Sequence, residues 1–195
     1  MCQLYCSSLE WSECYDFSEG MKECEYPQLF STESGTCENF TDVTCGTRHE
    51  EKEGCNYLKQ KYIFRRGLCQ DTYPSCKNKS DGINENPIRR PAPYFIICLQ
   101  DRLIGGGVCE FDSFWGVRTF PFNNTCVQAY AIPKAEYSLG RLPSCNGTTG
   151  SYRYDDSPCD VYYRCDSGTA TAVKCPENYN LNTVSGNCEL NYPCN

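Results

Sequence analysis

The sequence predicts a small disulfide-rich, mainly β fold: tandem cysteine-knit modules with short antiparallel hairpins. Three observations predict it. Cysteine accounts for 18 of the 195 residues, a density that marks a disulfide scaffold in a secreted chain. The mean hydropathy is −0.59, and apolar runs are as short as Tyr94-Phe95-Ile96-Ile97-Cys98, so no module can rest on a large core. Two cysteine intervals also recur: Cys14-x9-Cys24-x12-Cys37 has the spacing of Cys165-x9-Cys175-x12-Cys188. Each bridge contributes about 2–4 kcal/mol, chiefly by restricting the unfolded chain.

Composition narrows the function. Four Asn-x-Ser/Thr sequons, at Asn39, Asn78, Asn123 and Asn146, point to a secreted glycoprotein. Met1-Cys2-Gln3 does not open a charged stretch followed by an apolar one, so the chain reads as a mature segment or a fragment. No run approaches the ~18 apolar residues of a membrane span. No Cys-x2-Cys pair exists and His49 is the sole histidine, so disulfides are expected and metal sites and cofactors are not. A net charge of −7 speaks against nucleic acid, which asks for a basic stripe.

Side chains repeat along with the spacing. Phe30-Ser-Thr-Glu-Ser-Gly-Thr-Cys37 lines up with Leu181-Asn-Thr-Val-Ser-Gly-Asn-Cys188, and Trp11 stands before Cys14 as Tyr162 stands before Cys165. The last unit reads Cys145-x13-Cys159-x5-Cys165-x9-Cys175-x12-Cys188-x5-Cys194. Six cysteines allow fifteen pairings, and spacing alone does not choose among them. With Tyr162-Tyr163-Arg-Cys165 and Cys175-Pro176, this unit resembles the peritrophin-A, or tachycitin-type, chitin-binding domain of carbohydrate-binding module family 14. The resemblance implies the bridges Cys145–Cys165, Cys159–Cys194 and Cys175–Cys188.

Carried to the front of the chain, the resemblance implies Cys2–Cys14, Cys6–Cys45 and Cys24–Cys37. In the middle, Asp81-Gly82 follows Cys76, Tyr94-Phe95 precede Cys98, and Phe122-Asn-Asn-Thr precedes Cys126. That segment resembles the family with its second and sixth cysteines absent. Cys76–Cys98 and Cys109–Cys126 are then implied, leaving Cys55 and Cys69 to close their own loop. The expected organisation is a compressed module at 2–45, a linker at 46–75 closed by Cys55–Cys69, a divergent module at 76–126, a linker at 127–144 and a complete module at 145–194. Hairpin turns are expected at Phe17–Gly20, Gly105–Gly107 and Asp166–Gly168, with a half-buried strand at Thr169–Val173.

Chitin is uncharged and presents flat faces of axial C–H groups. Exposed aromatic rings with polar neighbours suit it, and Tyr carries an apolar body with a solvated tip. The chain has 15 Tyr, 9 Phe and 2 Trp. Tyr152, Tyr154, Tyr162, Tyr163 and Tyr179 are the candidates in the last unit, with Asp166 and Asn182 beside them. Tyr152, Tyr154 and Tyr179 are expected to be exposed, whereas Trp11, Phe95 and Tyr162 share a position that also suits a core role.

No catalytic constellation is read: His49 stands in a charged segment, and Asp155-Asp156 reads as a turn rather than a glycosidase pair. The expectation is a non-enzymatic, extracellular chitin-binding tandem, a component of cuticle, peritrophic or shell matrix. Its partners are chitin or chito-oligosaccharide, with matrix proteins or calcium carbonate in the alternative reading, where some modules have lost chitin. Divergent tandem modules of this kind resemble mollusc shell-matrix proteins of the Pif type, which links the sequence to biomineralization.

Overall fold

The structure, a computed structural model, describes residues 1–6, 21–64 and 68–194. It is mainly β, with short antiparallel sheets, few helices, and eight disulfides among the described residues. No helix among these residues is long and apolar enough to cross a membrane. The chain divides into two compact units: Met1–Arg90 with Tyr94–Gly107, and Pro91–Pro93 with Val108–Asn195. This division falls inside residues 76–126.

In the first unit, β1 (Leu4–Cys6) pairs with β2 (Met21–Glu23), and β3 (Leu29–Phe30) pairs with β4 (Cys37–Glu38). Cys2, Leu29 and Phe40 form a small core beside them. Two short helices follow, α1 (Leu58–Ile63) and α2 (Cys69–Thr72), tied to the preceding turn by Cys55–Cys69. The Glu23 carboxylate accepts from the Leu58 and Lys59 amides, both at 2.8 Å, and so satisfies the free donors at the start of α1. The third sheet runs β5 (Gly82–Glu85), β6 (Tyr94–Leu99), β7 (Arg102–Val108) in that order.

Arg102, fully buried, fastens this sheet to the charged stretch before Gly54. Its guanidinium donates to the Glu51 carbonyl at 2.6 Å and the Glu50 carboxylate at 2.7 Å, over the Phe40 ring. A buried cation needs such partners. The Tyr26 hydroxyl accepts from the Leu103 amide at 2.7 Å, and the Tyr57 hydroxyl donates to the Gln28 carbonyl at 3.1 Å.

The second unit holds a sheet of β8 (Phe111–Asp112), β9 (Val117–Phe122) and β10 (Thr125–Gln128), with β9 central. A second sheet places β12 (Val161–Asp166) between β11 (Gly150–Arg153) and β13 (Thr169–Lys174), and β14 (Tyr179–Asn182) pairs with β15 (Asn187–Leu190). Tyr130, Leu142, Tyr154 and Val161 form one core, against which Ala170 and Ala172 of β13 pack. Residues 127–144, expected as a linker, carry buried Tyr130, Ile132, Tyr137 and Leu142.

One set of backbone hydrogen bonds recurs. Cys175 N–H donates to the Asp160 carbonyl (2.7 Å) and Leu181 N–H to the Cys159 carbonyl (3.0 Å); at the front, Cys24 donates to Gln3 (2.9 Å) and Phe30 to Cys2 (2.9 Å). In the middle, Cys109 donates to Pro93 (2.7 Å). Gly82 faces Cys98 as Gly150 faces Cys165. By these bonds Cys2 stands where Cys159 stands and Tyr5 where Tyr162 stands. In the middle, Ala92 takes the Cys159 position, Phe95 that of Tyr162, and Asn84 and Ile96 those of Tyr152 and Tyr163.

A loop recurs as well. Gly35, Gly116 and Gly186 donate to the carbonyls of Ser31, Asp112 and Asn182 at 3.0, 2.8 and 2.8 Å. The side chains of those three acceptors in turn accept from the amides of Ser34, Trp115 and Ser185 at 3.3, 3.0 and 3.3 Å. A short polar residue opens the loop and a glycine at positive φ (69°, 65°, 72°) closes it.

The structure pairs Cys145 with Cys165, Cys159 with Cys194 and Cys175 with Cys188, and it also forms Cys24–Cys37, Cys55–Cys69, Cys76–Cys98 and Cys109–Cys126. The front differs from expectation. Cys45 is bonded to Cys2, which overturns both Cys2–Cys14 and Cys6–Cys45. The reason is the backbone: the Cys2 carbonyl binds Phe30 N–H and the Cys2 amide binds the His49 carbonyl at 2.6 Å, so Cys2 sits beside the Cys45 segment. Cys14, Trp11 and the turn expected at Phe17–Gly20 lie outside the described residues.

The expected turn at Gly105–Gly107 is also corrected. These glycines lie inside β7, and the turn is made by Gln100 and Asp101 at φ 51° and 64°, with Gln100 N–H bonded to Asp81 at 2.7 Å. The glycines are there for close approach: a Cβ on Gly107 would come within 2.8 Å of the Phe95 ring. The Asp166–Gly168 turn and the Thr169–Val173 strand fall where expected, as the β12–β13 turn and most of β13.

Candidate functional site

The register of β11 and β12 sorts the tyrosines. Tyr152 lies opposite Tyr163, and Arg153 opposite Tyr162. Successive strand side chains point to opposite faces, so Tyr162 and Tyr163 part company. Tyr162 is buried with Leu181 against the Cys175–Cys188 bridge, and Tyr179 packs on the same cluster. Tyr163 faces the other way and stacks on Tyr152, with centroids 5.5 Å apart and planes at 26°.

Tyr163 begins a run of rings. It meets Tyr154 at 5.2 Å, Tyr154 meets Tyr130 at 5.0 Å, and Tyr130 stacks on Trp115 at 6.0 Å. Tyr154, expected to be exposed, is only 8% exposed and donates its hydroxyl to the Tyr130 carbonyl at 2.9 Å. Its burial follows from residues 127–144 lying over that face. Burial pushes the Tyr154 phenol up; it also raises that of Tyr163, with the Asp155 charge adding to the effect. Both hydroxyls therefore stay protonated near neutral pH and remain donors.

Beside the half-buried Tyr163 opens a cleft of about 380 Å³, lined on this side by Arg153, Tyr154, Asp155, Asp156 and Tyr163. An aromatic wall with carboxylates at its rim suits a neutral sugar, whose C–H face stacks while its hydroxyls donate to Asp. The Arg153 guanidinium rests against the Cys159–Cys194 sulfurs.

The other expected neighbours do not line this cleft. Asp166 is exposed at the β12–β13 turn, where it accepts from the Ser167 hydroxyl at 3.0 Å. Asn182 caps its own loop: it accepts from Val184 N–H at 2.8 Å and donates to Glu189 at 2.9 Å. The Asn182 bond, with one from the Ser185 hydroxyl at 2.8 Å, holds the Glu189 carboxyl below its usual range. Sequence reasoning missed Arg153 and Tyr130. Asp155-Asp156 was visible only as a turn, and Tyr130 stands in a stretch without cysteines to anchor an alignment.

All four sequon asparagines, Asn39, Asn78, Asn123 and Asn146, are exposed, and the last three adopt positive φ of 61°, 45° and 44° in turns.

No curated protein matches the chain. One family model does match part of it: the chitin binding Peritrophin-A domain, over residues 145–194. The stretch that carries Tyr152, Tyr163 and the carboxylates of the cleft is therefore the stretch that matches the chitin binding Peritrophin-A domain.

Proposed function

We propose that this protein is a secreted, non-enzymatic matrix component that binds chitin or chito-oligosaccharide through residues 145–194. The observation that carries the reading is the coincidence of that domain with a cleft where Tyr163 stands beside Asp155 and Asp156. Stacking on a neutral polymer needs no counter-charge, so binding is expected to survive high salt. The test is retention of the full chain on insoluble chitin at rising salt. A chain that passes through unretained at low salt sinks the proposal.

A tandem of such modules is part of the same reading, supported by the recurring hydrogen bonds and loops at 2–45 and 76–126. The alternative, that some modules have lost chitin, is favoured for the middle one, where Asn84 and Ile96 stand in the places of Tyr152 and Tyr163. The exposed sequons support an N-glycosylated extracellular protein. A shell-matrix setting of the Pif type, with matrix proteins or calcium carbonate as further partners, draws support from the net charge of −7. Co-precipitation with calcium carbonate, retained after Tyr163 is truncated, tests that setting separately.

A further inference from the structure

We infer that the chitin site does not end at the domain boundary: residues 133–143 form its second wall, and Arg141 is a specificity-determining residue that recognises the acetamido carbonyl of the sugar. This rests on the reading of residues 145–194 as the chitin-binding part.

The wall is a closed loop. Leu142 N–H donates to the Ile132 carbonyl and Lys134 N–H to the Leu142 carbonyl, both at 3.0 Å, while Arg141 N–H reaches the Ala129 carbonyl at 2.9 Å. At Gly140 the two arms come so close that a Cβ would lie 2.6 Å from the Pro133 carbonyl oxygen. Ile132 beneath it is fully buried and Tyr137 is 8% exposed. A loop with its ends paired and its underside packed holds one shape, which is what positions a recognition side chain.

That side chain is Arg141. Its guanidinium lies 5.5 Å over the Tyr130 ring, with Nη1 3.5 Å from the Tyr130 hydroxyl. Tyr130 is itself in ring contact with Tyr154. Lys134, Gly140, Arg141 and Pro143 line the same cleft as Tyr163, Asp155 and Asp156. The cleft thus offers an aromatic ring and carboxylates from residues 153–163 and a planar donor fork from residues 133–143. The carboxylates accept from hydroxyls; the guanidinium needs an acceptor, and in a chitin unit the strong one is the amide carbonyl. A deacetylated unit presents an ammonium there instead, which offers the Arg141 guanidinium no acceptor, while Lys134 and Arg153 offset the pull of Asp155 and Asp156.

The test is calorimetric titration of the full chain with chitohexaose and with its fully deacetylated counterpart. Wild type is expected to prefer chitohexaose. Arg141→Ala should weaken chitohexaose about 10-fold, as loss of a charged hydrogen bond does, without weakening the deacetylated sugar, so that the preference collapses. Equal losses for both sugars would assign Arg141 a purely structural role and overturn the inference. An unchanged chitohexaose affinity, with Tyr163→Ala still weakened, overturns it too and leaves the chitin reading standing. Failure of the wild type to bind either sugar removes both. Amide shifts of wild type give a second readout independent of any variant: chitohexaose should move Gly140 and Arg141 together with Tyr163, and movement of Tyr163 alone refutes the second wall.

Discussion

Sheets β5-β6-β7 and β11-β12-β13 share a frame and differ in what they display. Each central strand carries a cysteine bonded back to the segment before its first strand, Cys98 to Cys76 and Cys165 to Cys145. Each is entered from a glycine at positive φ, Gly82 at 99° and Gly150 at 125°. Yet where the second sheet pairs Tyr152 with Tyr163, the first pairs Asn84 with Ile96. Where the second has Cys159, bonded to Cys194, the first has Ala92. The frame is made by turns, bridges and backbone hydrogen bonds, and it tolerates either display. On the proposed function, sugar recognition is an addition to it.

The comparison can be broken at the bridge first. Replacing both Cys159 and Cys194 by Ala gives the C-terminal sheet the state of the middle one. It should cost about 2–4 kcal/mol, read as a lower denaturation midpoint for that unit. An unchanged midpoint would mean the bridge is not what separates the two sheets. Next is the display: Tyr152→Asn with Tyr163→Ile copies the middle pair onto the C-terminal sheet. Chitin affinity should fall by about 2 kcal/mol or more, the scale of a lost aromatic anchor, with the circular dichroism of the fold kept. Full retention of chitin binding would place the site elsewhere.

The anchorage of the middle sheet can be sharpened by pH. Burial pushes the phenols of Tyr26 and Tyr57 from about 10 up to about 12. A folded pKa above the unfolded one means the stabilisation is complete below pH about 10 and is lost as pH rises towards 12. Denaturation midpoints of the first unit should therefore decline across that window, together with the appearance of tyrosinate absorbance. Tyr26→Phe should flatten the decline; an identical slope would acquit Tyr26. The smallest effect is expected at the recurring loop. Asn182→Ala removes a cap and should cost about 1 kcal/mol of stability with chitin affinity unchanged. A fall in affinity at constant stability would return Asn182 to the site.

The β12–β13 hairpin was legible in the sequence because its turn residues, Asp166–Gly168, are local, whereas the glycines at 105–107, present for close approach, read as a turn. Of the front bridges Cys24–Cys37 was legible too, but the partner of Cys2 was not, because counting cysteines in order makes Cys2 the first of six, whereas its carbonyl's bond to Phe30 gives it the place of Cys159. Tyr163 and Tyr162 differ by one residue and one strand face, a pattern the sequence shows without saying which face is covered. Leu181 and the Cys175–Cys188 bridge cover the Tyr162 face, and residues 127–144 bury Tyr154 on the other, both of them non-local packing events. The cleft's second wall was illegible for the same reason.

The recurring loop has a practical consequence. Its shared hydrogen bonds are made by its first, fourth and fifth residues, and the side chain of the middle one is left to project: Val184 is 90% exposed and Phe114 is 59% exposed, with Glu33 also exposed at the front. One charged, one aromatic and one aliphatic residue occupy the same apex. That makes these apices natural attachment points for spectroscopic labels, one on each hairpin. Distances measured between them in solution would report the arrangement of the three hairpins without disturbing the frame that carries them.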